Sequence, residues 1–176
     1  MTGRSDAERA ALLRELYTGA VADILDDLGH REQCLPADIR PLSPEMKVAG
    51  PVYTVRGRAR AYDDGTDPRF VQMDMLDGIF AGCVVVIDPG DEERAAHWGE
   101  LMSHTARAKG ATGVVVAGGV RDTPQILEVG FPAFAGTTRR SPRAGASISR
   151  ISTCRSGSAG SRSHPAISSW ATLTAS

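Results

Sequence analysis

The chain has 176 residues, of which 41% are hydrophobic and 23% charged, and its formal net charge is −1. That length supports one domain with a real core, and the near-neutral total offers nothing global to nucleic acid or an anionic membrane surface. No apolar run approaches the roughly 20 residues of a membrane span, and the charged start MTGRSDAERAALLRELY lacks the apolar region of a secretion leader.

Three widely spaced cysteines, Cys34, Cys83 and Cys154, form no CxxC pair, which fits a reduced, cytoplasmic setting rather than a disulfide framework. The neutral total also hides a break. Residues 1–128 carry all 21 acids and 14 of the 20 Lys and Arg, a net of −7, whereas residues 129–176 carry six Arg and no acid, a net of +6.

In chain order, residues 5–16 place Ala7, Ala10, Leu13 and their neighbours among charges behind Ser5 and Asp6, predicting an amphipathic helix. TGAVADILDDLGH (18–30) predicts a second, with Thr18 as N-cap and Gly29 as stop. Its Asp23, Asp26 and Asp27 read as a solvated face rather than a metal site. GPVYTVRGRARAY (50–62) alternates like a strand. DPRFVQMDMLDGIF (67–80) returns to helical spacing through Phe70, Met73, Leu76 and Phe80, with its methionines as core filler.

AGCVVVIDPGD (81–91) is a continuous apolar run closed by Pro-Gly, the pattern of a strand buried on both faces, with Cys83 in its core. Residues 98–110 predict a helix whose inner face holds Leu101, Met102, Thr105 and Ala108. TGVVVAGG (112–119) predicts another buried strand. DTPQILEVG (122–130) predicts a short helix with Pro124 in its first turn, and FPAFAGTT a further strand and turn. Strands alternating with helices predict an α/β sheet with parallel pairs, whose ligand sites lie at strand C-terminal ends and helix N-termini.

Within that scheme, Gly99-Glu100-Leu101-Met102 opens a helix, where free N–H groups and the positive dipole end suit a substrate carboxylate. Arg121-Asp122 closes the next strand, with twenty residues between Glu100 and Arg121. A helix start packed beside a strand end would bring the two together. Two carboxylates and a guanidinium around a glycine-lined space suit a hard divalent cation such as Mg²⁺. With Arg121, that cation could stabilise an oxyanion forming on a 2-oxo acid. The alternative is purely structural, with Arg121 pairing with Glu100 and Asp122 capping the helix after it. His97 and His104 flank the motif and read as rim or buried side chains, because the site is oxygen-rich.

The run GELMSHTARAKGATGVVVAGGVRD resembles the signature of the RraA-like family, an acidic residue, twenty intervening residues, then Arg-Asp. TGAVADILDDLG, GPVYTVRG, GCVVVIDPG and FPAFAGTT are further matches, so the resemblance runs through most of residues 17–138. It implies a layered α/β sandwich of the swivelling-domain type. The implied activity is divalent-metal-dependent (Mg²⁺ or Mn²⁺) cleavage of 4-hydroxy-4-methyl-2-oxoglutarate to pyruvate, with oxaloacetate decarboxylation through the same enolate.

Carried over, Asp122 is the direct metal ligand and Glu100 reaches the metal through water. Arg121 holds the substrate and stabilises the enolate, and the backbone of Gly99–Met102 takes a carboxylate. The resemblance also implies a homotrimer or hexamer with sites at subunit boundaries. The resemblance further implies that the family's regulator branch, which binds a ribonuclease, lacks the acidic/Arg-Asp set, so the set favours the enzyme branch.

After residue 138 the pattern stops. RAGASISRISTCRSGSAGSRSHPAISSWATLTAS is Ser/Arg-rich with little periodicity, which reads either as a disordered basic extension or as a shifted reading frame. Starting each codon one base early, with G or C at third positions, turns residues 165–176 into a string such as PGDLVVGDADGV. Ala171, following the single Trp codon, becomes Gly under any assumption. The shifted strings resemble the usual C-terminal half of the family. The expectation is therefore an incomplete RraA-like domain over 1–138, C-terminal strands lost, and an aberrant tail over 139–176. An inactive truncated paralogue is a third functional reading beside lyase and regulator.

Overall fold

The computed structural model describes residues 4–57, 67–90, 95–136, 152–155 and 170–174. The helices are α1 (Asp6–Glu15), α2 (Thr18–Asp27), α3 (Pro68–Asp77), α4 (Glu100–Ala108) and α5 (Thr123–Val129). The strands are β1 (Arg40–Pro41), β2 (Lys47–Arg56), β3 (Val84–Asp88), β4 (Ala96–Trp98), β5 (Gly113–Val116), β6 (Gly119–Val120), β7 (Ala133–Ala135), β8 (Ser152–Arg155) and β9 (Trp170–Thr174).

The main sheet runs β1-β7-β5-β3-β2-β8, with β9 also on β2. Its centre is parallel, β2 to β3, β3 to β5 and β5 to β7, as the alternation of strands and helices predicts. Both faces of β3 are buried, and the period-two geometry of a strand divides them. Val85 and Ile87 join Met75, Trp98, Met102, Ala106 and Ile126 under the helices. Val84 and Val86 join Val48, Val52, Val115 and Phe134, with Leu35, Ile39 and Met46 packed against them. This explains why the sequence shows a run rather than an alternation.

Helix boundaries follow local chemistry. Ser5 caps α1 in a reciprocal box with Glu8, and Asp67 caps α3 by accepting from the Arg69 N–H at 2.9 Å. Beyond α4, Gly110 adopts a positive φ of 82°, which lets the Ala111 N–H reach back to the Ala106 carbonyl.

The sequence-based boundaries and faces need several corrections. Tyr17, not Thr18, sits at the N-cap of α2, with no side-chain cap bond. Residues 58–62 of the first predicted strand lie outside the described residues. On α3 the inward side chains are Met75 and Leu76, and Phe70 and Met73 are exposed. On α4 the inward face is Met102, Ser103 and Ala106, and Leu101 is 77% exposed. The stripe misjudged on α4 contains a serine, which an apolar pattern cannot show. The predicted strand 112–119 is two strands, because the chain leaves the main sheet after Val116.

Most of the tail lies outside the described residues. Two stretches of it differ from the expectation of lost strands, since β8 and β9 pair antiparallel with β2. The physical reason is that a sheet edge presents unpaired N–H and C=O groups, which extended chain can satisfy whatever its side chains.

Candidate functional site

The geometry begins with two very short strands. β4 and β6 form their own parallel two-stranded sheet, off the main one. Neither is predicted from the sequence, which placed Trp98 inside a helix and ran residue 119 into the preceding strand. Because β4 and β6 run side by side in the same direction, the residues that follow them emerge together. Gly99-Glu100 follows β4, and Arg121-Asp122 follows β6. The Arg121 N–H donates to the Trp98 carbonyl at 3.0 Å, continuing the pairing up to the site. The expected juxtaposition is present, but parallel strand pairing makes it rather than a helix start beside a strand end.

Asp122 is the one non-glycine residue with positive φ among the described residues, at φ 57° and ψ 37°. That left-handed conformation is uncommon outside Gly, Asn and Asp. Asp122 occupies the N-cap position of α5, yet its side chain makes no capping bond there. Its Oδ2 instead accepts from the Glu100 N–H across the ledge at 3.4 Å, and lies 3.5 Å from Arg121 Nε. The cap alternative is therefore not what the carboxylate does. Nor does Arg121 pair with Glu100. The Glu100 carboxylate lies 3.9 Å from His104 Nε2, one helical turn on.

These groups remain open to solvent. The Arg121 side chain is 72% exposed, Asp122 41% and Glu100 47%. Leu101 and Met102 supply the next backbone N–H groups of α4, whose first intrahelical bond runs from the Ser103 N–H to the Gly99 carbonyl. N–H groups in that first turn have no partner within the helix. The Leu101 side chain is exposed and that of Met102 is buried.

Gly99 has an ordinary extended conformation, φ −161° and ψ −172°, so backbone strain does not require glycine there. Space does. A Cβ at Gly99 would lie 2.8 Å from Asp122 Oδ2 and 3.2 Å from both Cγ and Nε of Arg121. The absent side chain leaves a hollow bounded by one carboxylate and one guanidinium. No cluster of three or more His, Cys, Asp or Glu capable of holding a metal occurs among the described residues. A protein-only cage of the zinc type is thereby absent from them. Mg²⁺ binds through as few as one or two carboxylates while keeping most of its water; Asp122 offers one such carboxylate at the hollow, whereas that of Glu100 turns toward His104.

Beneath the ledge, sequence reasoning missed a buried polar pair. Trp98 Nε1 donates to Ser103 Oγ at 2.8 Å, and Ser103 Oγ donates to the Gly99 carbonyl at 3.0 Å. Trp98 also stacks on Phe131, with ring centroids 6.1 Å apart and planes 14° from parallel. The available signal was the i, i+4 spacing of Gly99 and Ser103 just past a tryptophan. His97 is buried and His104 lies at the rim, as the sequence implies. Cys83 is fully buried, and that burial raises its thiol pKa.

No helix among the described residues is long and apolar enough to cross a membrane. Over 131 residues, 70% of this chain, it is 34% identical to protein DlpA of Legionella pneumophila, although the match spans only 20% of that larger protein. It is 34% identical over 123 residues to a 4-hydroxy-4-methyl-2-oxoglutarate aldolase of Thermus thermophilus, covering 69% of this chain and 70% of the relative. Among solved structures it resembles Streptomyces coelicolor RraAS2, described as an unusual member of the RNase ES inhibitor RraA protein family. That likeness has a TM-score of 0.68 at 22% identity and covers 86% of this chain and 74% of the other, which speaks to fold alone. The model of the RraA-like family, Aldolase/RraA, matches residues 18–153, so this chain belongs to the RraA-like family.

Proposed function

We propose that this chain is a divalent-metal-dependent lyase acting on small 2-oxo acids, cleaving 4-hydroxy-4-methyl-2-oxoglutarate-type substrates to pyruvate and decarboxylating oxaloacetate through the same enolate. The observation that carries the reading is the β4–β6 ledge, which brings the Glu100 N–H to the Asp122 carboxylate across 22 residues of chain and leaves that carboxylate uncommitted to helix capping. The kinship with a named aldolase supports it.

Asp122 would hold Mg²⁺ or Mn²⁺ directly and Glu100 through water. The bound cation supplies Lewis-acid neutralisation of negative charge on the keto acid. Arg121, exposed and beside Asp122, grips the 2-oxo acid end of the substrate and offers N–H donors where enolate charge develops. The free N–H groups of Leu101 and Met102 take a substrate carboxylate at the positive end of α4. Glu100 stands at the rim, where a carboxylate can accept the 4-hydroxyl proton. Loss of that proton breaks the C3–C4 bond, one pyruvate leaves, and the enolate takes a proton at C3 to give the second.

Assembly as a trimer or hexamer, and a frame change in the gene near codons 138–145, belong to the same reading. Sizing chromatography and resequencing test them. The functional test is pyruvate release from both substrates, with Mg²⁺, Mn²⁺ or EDTA, by this chain and by a frame-restored one. Asp122→Asn is the sharper variant, because Asn tolerates the left-handed backbone that Ala would strain. Metal-dependent turnover should fall to background in Asp122→Asn. Unchanged turnover rejects the assigned role, and absence of turnover in the frame-restored parent favours a ribonuclease-binding regulator instead.

A further inference from the structure

We propose that Ser103 is a positioning residue for Asp122, acting through the single peptide unit between Gly99 and Glu100. The inference rests on the lyase reading for its consequence, but its geometry stands apart from it. A peptide is planar, with its carbonyl and N–H directed oppositely, so a group that fixes one end aims the other. Here the carbonyl of Gly99 accepts twice from the same residue, from the Ser103 N–H at 3.1 Å and the Ser103 hydroxyl at 3.0 Å. The N–H at the other end of that plane belongs to Glu100 and reaches Asp122 Oδ2 at 3.4 Å.

A serine hydroxyl bonding back four residues is common in helices and usually has no consequence beyond the helix itself. Two features set this one apart. Ser103 is fully buried, its oxygen accepts from the Trp98 indole N–H at 2.8 Å, and its hydroxyl donates to the Gly99 carbonyl at 3.0 Å. Trp98 is itself held by stacking on Phe131. The hydroxyl that grips the peptide is therefore lodged in the core, and its own bond to the Gly99 carbonyl sets the tilt. Removing the hydroxyl leaves an indole N–H without its partner and frees the peptide to tilt, which withdraws the N–H from Asp122.

The test uses the full chain and two readouts. In metal-free protein, the Glu100 amide resonance should shift on Asp122→Asn, and that shift should vanish in a Ser103→Ala background. Trp98→Phe removes the indole donor but keeps the serine–carbonyl bond, so the Glu100 response should survive there even as stability drops. The second readout is Mn²⁺ affinity, expected to weaken about tenfold or more in Ser103→Ala, as for other residues that orient a metal ligand, and to hold in Trp98→Phe. An equal Glu100 response with and without the hydroxyl overturns the proposal whatever Mn²⁺ does. Equal losses in Trp98→Phe and Ser103→Ala also overturn it, since packing alone would then explain both. A parent that binds no Mn²⁺ but shows the Ser103-dependent response sinks the lyase reading and leaves the positioning role intact.

Discussion

Helices α4 and α5 and helices α1 and α2 all mix apolar with polar residues, yet they end in different surroundings. α4 buries Met102, Ser103 and Ala106, and α5 buries Ile126 and Val129. α1 buries only Ala10, α2 buries nothing, and Leu12, Leu16, Tyr17, Ile24 and Leu28 stay exposed. The difference is topological. A helix between two parallel strands must return across the sheet, which covers its apolar stripe. α1 and α2 precede the first strand and carry no such obligation. An apolar stripe thus predicts a helix, whereas only its place in the chain predicts what covers it.

Three substitutions test this contrast in decreasing order of effect. Ile126→Ala, at a fully buried site in α5, should cost about 2–5 kcal/mol in a denaturant titration, and a loss below about 1 kcal/mol would mean α5 is loosely seated. Ser5→Ala removes the cap of α1 and should cost about 1 kcal/mol at neutral pH. The backbone N–H of Ser5, then its hydroxyl, holds the Glu8 carboxyl below its ordinary pKa. A depressed carboxylate contributes stability above its unfolded pKa and loses it as pH falls through the folded one. The gap between parent and Ser5→Ala should therefore narrow on acidification without closing, because the bond from the Glu8 N–H to the Ser5 hydroxyl does not titrate, and a constant gap would separate the Glu8 carboxyl from the cap. Ile24→Ser, 57% exposed, should change stability by no more than about 0.5 kcal/mol. A loss of 2 kcal/mol or more would show that something covers α2 in solution.

Legibility followed the same physics. VVVID and GVVV announced buried parallel strands because continuous apolar runs have few other uses. The spacing from Glu100 to Arg121-Asp122 matched a family signature, and the two do lie together, although the contact is made by the Glu100 backbone N–H and not by its carboxylate. β4 and β6 stayed hidden, since strands of three and two residues are too short to show a period. Leu101 was misassigned because Ser103, a polar residue with both its bonds satisfied, takes the inward position an apolar pattern reserves for leucine. The conformation of Asp122 left no trace in the sequence beyond the tolerance of aspartate for it.

The ledge of β4 and β6 has an evolutionary corollary. Its strands pair with each other and not with the seven-stranded sheet, so the loops that carry Glu100 and Arg121-Asp122 ride on a bracket of their own, fastened to the core by Trp98, His97 and Val120. Substitutions could retune the chemistry of the bracket without redesigning the scaffold, and the scaffold could drift without erasing the chemistry. A lineage that exchanges catalysis for binding would need to alter only a handful of residues on that shelf.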